Sequence, residues 1–570
     1  MFERIKSILP ISLIVALMIF VFPFLQLISL SIEHFDTPLV AYFWSYFPQL
    51  AVVTLVLVTL PSVFLTSSLT YRFGGFLLSL AIALYFQANI FLWDYGLVDG
   101  SFFDFSGKFS IAAVEVVFWI AIGIVGVVFG LSVFNYRLYI ISVLLLMVVA
   151  NTIMTPGFDR FAGKATRISS EPFYKYGKSW AVKAKRASTF STKKNVVVWI
   201  SDGLQSDISK EILDTSPKLR QNLKGFTFFE DAMGHYDQTI LSIPLLLAGK
   251  VYDGKQSYEN FLETRVKTNN IGYFANVEGI TSDMISSRKF CAGFERCLFS
   301  GALMPIERIP ARSAHLATVI SLSAFRLMPH IVKPLVFDGV NGIGNSLLSF
   351  LYPEQEEQPW AAGDVRFYNW FIEELQAEET APTLKVLHSR SSHQPYQLGR
   401  NCTAEKSRSN IDALKKQAYC NMTIFLNFVL KLKELDIYDQ TMIVWISDHG
   451  SRQKYADIQD GPYGSEMSDA SVTFAVKPVG SSTKPLVYSS APVQLADVAP
   501  TVLSAFEIPF EHYEGLPVFQ VQPDNRHRQY FSTNRKSPAK ELSGYEVVGR
   551  KSNHANWTPT KTLFTNKQNR

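Results

Sequence analysis

Asp448 and His449, within Ser447-Asp448-His449-Gly450, set a hard carboxylate oxygen beside an imidazole. Asp202, in Ser201-Asp202-Gly203, offers a second carboxylate. A mixed oxygen and nitrogen set of this kind suits Zn²⁺, with Mn²⁺ as the alternative, better than Ca²⁺. A third stretch runs Asp237-Gln238-Thr239-Ile240-Leu241-Ser242-Ile243-Pro244 and closes on Gly249. Pro is tolerated near a helix start and Gly is a natural stop, so a short helix is expected from about Ser242–Pro244, with Thr239 just ahead of it. Beside a cation, a Thr hydroxyl at such a helix start can lose its proton and attack phosphorus. Thr239 or Ser242 acting only as a helix cap is the plainer alternative. The fourth stretch, Leu387-His388-Ser389-Arg390-Ser391-Ser392-His393-Gln394-Pro395, supplies two imidazoles. These could bind a phosphate, protonate a leaving oxygen or hold a second metal.

Such residues need rigid elements to bring them together. Val196 to Ile200 and Met442 to Ile446 are continuously apolar and rich in β-branched residues, as strands buried on both faces of a parallel sheet are. Residues 384–387 read as a further strand, and 411–436 as a long amphipathic helix before the second Asp. Alternating strands and helices predict an α/β domain with a largely parallel sheet. Ligands in such sheets bind beyond the carboxyl ends of the strands, where Asp202 and Asp448 both fall.

The 570 residues are 48% apolar and only 18% charged, which excludes bulk disorder. A net charge of +5 over this length gives no reason to expect nucleic acid. Five stretches free of Asp, Glu, Lys and Arg (7–32, 37–71, 73–93, 116–136 and 138–158) each reach the ~20 residues that a membrane-spanning helix needs. Arg4, Lys6, Arg72 and Arg137 flank one side of these spans and Lys108 alone the other, which places the N-terminus in the cytoplasm and everything after about 158 outside. The expected organisation is therefore a five-helix transmembrane domain (1–158), a basic connector (159–194), an exported α/β domain (195–520) and a polar tail or domain flank (521–570). All four cysteines, Cys291, Cys297, Cys402 and Cys420, fall in the exported part, as expected of two disulfides. The local pairs 291–297 and 402–420 are preferred among three possible connectivities.

Taken together, the motifs resemble the alkaline phosphatase/sulfatase superfamily. Within it they look like the membrane-anchored phosphoethanolamine transferases of Gram-negative lipid A and related glycans. The metal-binding acid falls on Asp202, T-x-x-S-x-P on Thr239 to Pro244, L-H-x-x-x-S-H-x-P on Leu387 to Pro395, and S-D-H-G on Ser447 to Gly450. Asp497-Val498-Ala499-Pro500-Thr501-Val502-Leu503 and Gly515-Leu516-Pro517 match a closing sulfatase-like segment. Ser451 and Leu245 stand where those transferases usually carry Glu and Cys, Asp202 stands where they usually carry Glu, and a downstream family His has no clear match between Arg452 and Val476.

The resemblance implies an alkaline phosphatase/sulfatase-like fold with one Zn²⁺ held by Asp202, Thr239, Asp448 and His449. Thr239 would be the nucleophile, and His388 and His393 substrate-binding or second-metal residues, with His393 the acid for the leaving group. The implied activity moves a phospholipid headgroup, phosphoethanolamine first, through a phospho-threonine onto an extracytoplasmic glycan or lipopolysaccharide. The enzyme would be a multi-pass protein of a bacterial inner membrane with its catalytic domain in the periplasm. A phosphoglycerol transferase, a phosphodiesterase and a sulfatase are the alternatives. The last of these lacks the Arg of C/S-x-P-x-R, because Leu246 stands in its place.

Overall fold

The computed structural model describes residues 2–30, 52, 54–56, 58–93, 95, 103, 105, 109–155, 185–286, 290–298, 314–338, 342–351, 360–408, 410–451, 461–511, 513–523, 526–533, 541–560 and 562–564. They fall into two compact units. One comprises Met1–Lys175 with Pro305–Gln358, and the other Tyr176–Met304 with Pro359–Arg570.

The first unit is helical. Among the described residues, three helices are long and apolar enough to cross a membrane: Phe2–Leu27, Ser67–Asn89 and Arg137–Met154. Ala112–Val128 is a shorter apolar helix. Residues 37–51, 53 and 57 of the expected span at 37–71, and residues 159–184 of the connector, lie outside the described residues. Two features depart from the sequence reading. Pro305–Gln358, assigned there to the exported domain, groups with the first unit. Its apolar helices Ala314–Leu327 and Ile343–Leu351 are too short to register as spans. The expected polar tail also contains a folded antiparallel sheet, described below.

The second unit is built on an eight-stranded sheet: β1 (Asn195–Ser201), β2 (Thr227–Phe229), β3 (Thr281–Ile285), β4 (Arg296–Leu298), β5 (Thr383–Ser389), β6 (Thr441–Ile446), β7 (Phe474–Lys477) and β8 (Val487–Ser489). The spatial order is β8-β2-β7-β6-β1-β5-β3-β4. Strand β7 pairs antiparallel with both neighbours, and every other pairing is parallel. The central strands are buried along their whole length. Val196, Val198 and Ile200 join one core layer, while Val197 and Trp199 join the other. That two-sided burial is why β1 and β6 read as unbroken apolar runs rather than alternating ones.

Ile411–Glu434 lies on the second layer, capped by the Asn410 side chain, which accepts from Ala413 N at 2.9 Å. Phe425 stacks on Trp445 at 4.6 Å between ring centres. Residues 527–564 add a separate antiparallel sheet, β9 (His527–Ser532), β10 (Glu541–Val548), β11 (Trp557–Pro559) and β12 (Leu563–Phe564), with β10 pairing the other three. Its strands carry no regular alternation, and the residues between and beyond them are mostly polar; this is why the segment reads as a tail.

Trp445 is fully buried, so Trp445→Ala should destabilise this unit by about 3–5 kcal/mol. Thermal unfolding of the full chain in detergent should show a clear drop in melting temperature. An unchanged melting temperature would contradict the packing of Ile411–Glu434 on this strand.

Candidate functional site

Strand register brings the chemistry together. Ile200 of β1 pairs with Ile446 of β6 on one side and His388 of β5 on the other. Two residues beyond each isoleucine come Asp202 and Asp448, at the carboxyl edge of the sheet. Gly203 makes the turn after β1 at φ +70°, a conformation that L side chains rarely adopt. Its N–H donates to Asp448 Oδ1 at 3.1 Å, which ties the two strand ends together. Gly450 must also lack a side chain, because a Cβ there would stand 1.9 Å from the Ser468 carbonyl oxygen.

Around these carboxylates the remaining expected residues converge. His449 Nε2 lies 3.6 Å from Asp202 Oδ1 and 3.6 Å from Asp448 Oδ2. Thr239 Oγ1 is 3.3 Å from the same nitrogen. His393 Nε2 is 3.9 Å from Asp202 Oδ1, and His388 Nε2 is 3.0 Å from Asp202 Oδ2. Asp202, His388, Asp448 and His449 are all buried, while Thr239 and His393 keep partial exposure. His449 Nδ1 hydrogen-bonds the Gly450 carbonyl at 2.8 Å; a carbonyl only accepts, so that nitrogen carries the proton and Nε2 presents its lone pair to the carboxylates. His393 Nδ1 is bonded to the Gln394 carbonyl in the same way.

Two carboxylate oxygens are left over. Asp202 Oδ1 and Asp448 Oδ2 are buried without a hydrogen-bond partner. Burial by itself would raise the Asp202 carboxyl; the His393, His388 and His449 imidazoles outweigh it and hold the group well below the usual carboxylate range. Buried anionic oxygens without donors are costly unless a cation faces them. Ligand atoms around a tetrahedral zinc lie about 3.4 Å apart when its bonds are about 2.1 Å, close to the separations here. Asp202, Asp448, His449 and Thr239 thus fit a divalent cation. Asp202, His393 and His449 form one compact ligand set, and Asp202, His388 and Asp448 another.

The short helix begins at Thr239 and runs to Ala248, three residues earlier than its sequence predicts. Gln238 is the N-cap residue, so Thr239 is not a cap and its hydroxyl turns to His449 instead. Pro244 sits inside the helix and leaves the Ile240 carbonyl without its helical donor; the Tyr258 hydroxyl supplies one. Ser242, three residues on, is fully buried.

Several supporting residues escaped the sequence reading. Ser286 Oγ meets His388 Nδ1 at 2.9 Å, and Asp364 accepts from Ser389 Oγ and from the Arg390 and Ser391 N–H groups, holding the end of β5 and the loop that leads on to His393. Ser451 Oγ donates to Gln205 Oε1 at 2.7 Å, so the position where the resembled transferases carry Glu is spent on an uncharged pair. Asp497 takes two bonds from Arg526, at 2.7 and 2.8 Å, and one from Leu516 N, so the closing motif braces the fold away from the carboxylates. Thr533, just past β9, donates to Asp237 from its N–H at 3.2 Å and its hydroxyl at 3.0 Å, and also accepts from Gln238 Nε2 at 2.9 Å. The C-terminal sheet therefore grips the two residues that precede Thr239. The partners are far apart in sequence, and no local spacing signals the contact.

Both local disulfides form, Cys291–Cys297 and Cys402–Cys420.

A family model described as Sulfatase matches residues 194–508, more than half of the chain. The chain belongs to the sulfatase family. The second unit is accordingly an alkaline phosphatase/sulfatase-like α/β domain of an enzyme acting on phosphate or sulfate esters. Among solved structures, an alkaline phosphatase superfamily protein from Vibrio parahaemolyticus is similar over 66% of this chain and 83% of its own, with 11% identity and a TM-score of 0.43. The C-terminal periplasmic domain of EcEptC from Escherichia coli is similar over 60% of this chain and 90% of its own, with 11% identity and a TM-score of 0.34. The PsFucS1 sulfatase from Pseudoalteromonas sp. covers 68% and 86%, with 12% identity and a TM-score of 0.37. No curated protein matches the sequence.

Thr533→Val removes the hydroxyl's hydrogen bond to the buried Asp237 carboxylate, about 1.5 kcal/mol, together with the one it accepts from Gln238, so turnover of an ester substrate should fall at least about tenfold. Because only the placement of Thr239 is disturbed, kcat should fall with KM nearly constant, and Thr533→Ser should restore it. A rise in KM alone, or no rescue by Ser, would contradict a positioning role for this contact.

Proposed function

We propose that the chain transfers a substituted phosphoryl group from a membrane phospholipid headgroup, phosphoethanolamine first among candidates, to an extracytoplasmic glycan or lipid acceptor through Thr239. The observation that carries this reading is the contrast between two hydroxyls on one helix. Thr239 Oγ1 is partly exposed and 3.3 Å from His449 Nε2, whereas Ser242, the residue that a sulfatase of the S-x-P-x-R type would use, is buried in the helix. With Leu246 in place of the Arg, sulfate ester hydrolysis by Ser242 lacks both access and its partner.

A divalent cation, Zn²⁺ first and Mn²⁺ second, would be held by Asp202, Asp448, His449 and Thr239. Once bound it would lower the pKa of a neighbouring hydroxyl and neutralise charge on the phosphoryl oxygens. The protein's own groups do the rest. Thr239, having lost its proton to water, attacks phosphorus; the Oγ–P bond forms as the bond to the diacylglycerol oxygen breaks. His393, with Nδ1 committed to the Gln394 carbonyl, delivers its Nε2 proton to that leaving oxygen. An acceptor hydroxyl or phosphate then attacks the phospho-threonine, its proton, if it carries one, returning to His393 and the Oγ–P bond breaking. The N-terminus of helix Thr239–Ala248, with Thr239 as its first residue, favours the anionic phosphoryl group. His388, tied to both Ser286 and Asp202, orients the carboxylate more than it meets substrate.

The donor explains the apolar helices of the first unit, since a lipid headgroup is reached at a membrane surface. The N-terminus would be cytoplasmic and the second unit periplasmic.

The test is mass spectrometry of the full chain after incubation with headgroup-labelled phosphatidylethanolamine or phosphatidylglycerol. A phosphoethanolamine adduct on the peptide containing Thr239 is expected, absent in Thr239→Ala, whose metal content should fall little because Asp202, Asp448 and His449 remain. A phosphoglycerol adduct would transfer the assignment to that donor. Release of labelled headgroup to water without acceptor dependence would make the chain a phosphodiesterase, and normal turnover in Thr239→Ala would remove Thr239 from the mechanism.

A further inference from the structure

The segment 314–350 has its polarity inverted. Its described side chains with clear exposure are Ile331, Pro334, Leu335, Ile343, Ser346 and Phe350. Not one is charged. Ile331 is 64% exposed, Leu335 79% and Phe350 81%. A helical segment facing water turns charged and polar residues outward, and here the cations are inside. Lys333 is only 3% exposed; its ammonium donates to the Phe325 carbonyl at 2.7 Å and lies over the Phe325 ring at 4.5 Å. Arg326 donates to the Ala88 carbonyl at 2.7 Å. His330 Nδ1 meets the Tyr95 hydroxyl at 2.8 Å, and its N–H donates to the buried carboxylate of Glu115, which also accepts from Trp93 Nε1 at 2.6 Å.

An exposed apolar surface of this kind needs an occupant. Its surroundings identify one. Ala88, Trp93, Tyr95 and Glu115 belong to the same compact unit as the membrane-length helices, and apolar helices of that unit present the same kind of face. Val117, Ile120 and Val127 on Phe109–Val128, and Leu138 and Leu146 on Arg137–Met154, are each more than half exposed. The insert packs into the core of the same unit, where Leu327 is buried with Ile14, Leu78 and Leu84. We propose that residues 314–350 are a lipid-embedded insert, carried within the sequence of the catalytic half, whose Ile331, Leu335, Ile343 and Phe350 side chains contact the acyl region of the bilayer while Arg326 and His330 are satisfied by Ala88, Tyr95 and Glu115 of the same unit and Lys333 by the Phe325 carbonyl of the insert itself.

Length sets how deep it goes. Among the described residues of the insert the longest helix has 14 residues, about 21 Å at ~1.5 Å per residue, short of the ~30 Å hydrocarbon core. Both ends of the insert also return to the second unit in sequence. The segment therefore enters and leaves by the same membrane face. Trp93 and Tyr95 near its buried side are the residue types enriched at the membrane–water interface. The inference does not depend on the reaction catalysed.

Nitroxide labels test it. All four native cysteines are paired, so one introduced cysteine is the sole free thiol of the chain. Leu335→Cys and Phe350→Cys would be labelled separately in the full chain and reconstituted into phosphatidylethanolamine/phosphatidylglycerol liposomes. Val117→Cys serves as the lipid-facing reference and Val277→Cys, 63% exposed in the second unit, as the water-facing one. Collision rates with molecular oxygen, which concentrates in hydrocarbon, and with a polar nickel chelate, which is excluded from it, are then compared. The oxygen-to-nickel ratio at 335 and 350 should match position 117 and exceed position 277 severalfold. A ratio like that of 277 would mean that the face meets water. Low collision with both reagents would mean that protein, such as a second copy of the chain, covers it. Either result overturns the proposal.

Discussion

Two aspartates with unpartnered oxygens share one buried pocket, and the second unit is arranged around that constraint. Asp202 and Asp448 are 3% and 0% exposed, so neither can rely on water for solvation. Removing a carboxylate from water costs several kcal/mol even after relaxation, and placing two together adds repulsion. The protein answers part of this cost with its own groups: Gly203 N–H on Asp448, His388 on Asp202, and two further imidazoles at 3.6 and 3.9 Å. One oxygen on each aspartate stays without a donor. This residual demand for positive charge is what a divalent cation would supply, and Thr239 Oγ1 lies 3.3 Å from the His449 nitrogen that faces the same carboxylates.

Strand order is what makes the arrangement rigid. Strands β5, β1 and β6 are neighbours in the sheet and hydrogen-bonded in register, so the loops leaving them emerge side by side. A slip of one residue in either pairing would send the side chains of a strand to the opposite face. The two-sided apolar core guards against such a slip, because Trp199 and Trp445 must both enter the layer formed with Ile411–Glu434. The nucleophile helix is held from a different direction. Its own end is fixed by Gly249 in the left-handed conformation, and the residues before Thr239 are gripped from the C-terminal sheet through Asp237 and Thr533.

Much of this was legible from residue order. The uniform apolar character of 196–200 and 442–446 identifies central parallel strands, and the residues that follow those strands must lie at the sheet's carboxyl edge, so Asp202, Asp448 and His449 could be assigned to one place. Thr239 was legible only in combination with Pro244 and Gly249, and the helix starts earlier than those two imply because the Tyr258 hydroxyl compensates for the donor that Pro244 lacks. The contributions of Ser286, Asp364 and Thr533 were not legible. Each acts through hydrogen bonds to residues far along the chain, and a lone Ser, Thr or Asp has no period or spacing to mark it. The membrane affinity of 314–350 was hidden for a related reason. Its apolar runs are broken by Arg326, His330 and Lys333, and only the fold reveals that these side chains point inward.

The most direct test of the central claim is anomalous X-ray scattering from crystals of the zinc-loaded protein. A single strong peak is expected within about 2–2.3 Å of Asp202 Oδ1, Asp448 Oδ2, His449 Nε2 and Thr239 Oγ1, the range of zinc–oxygen and zinc–nitrogen bonds. No peak between the two aspartates, or an ion bound elsewhere with Thr239 out of reach, would contradict it.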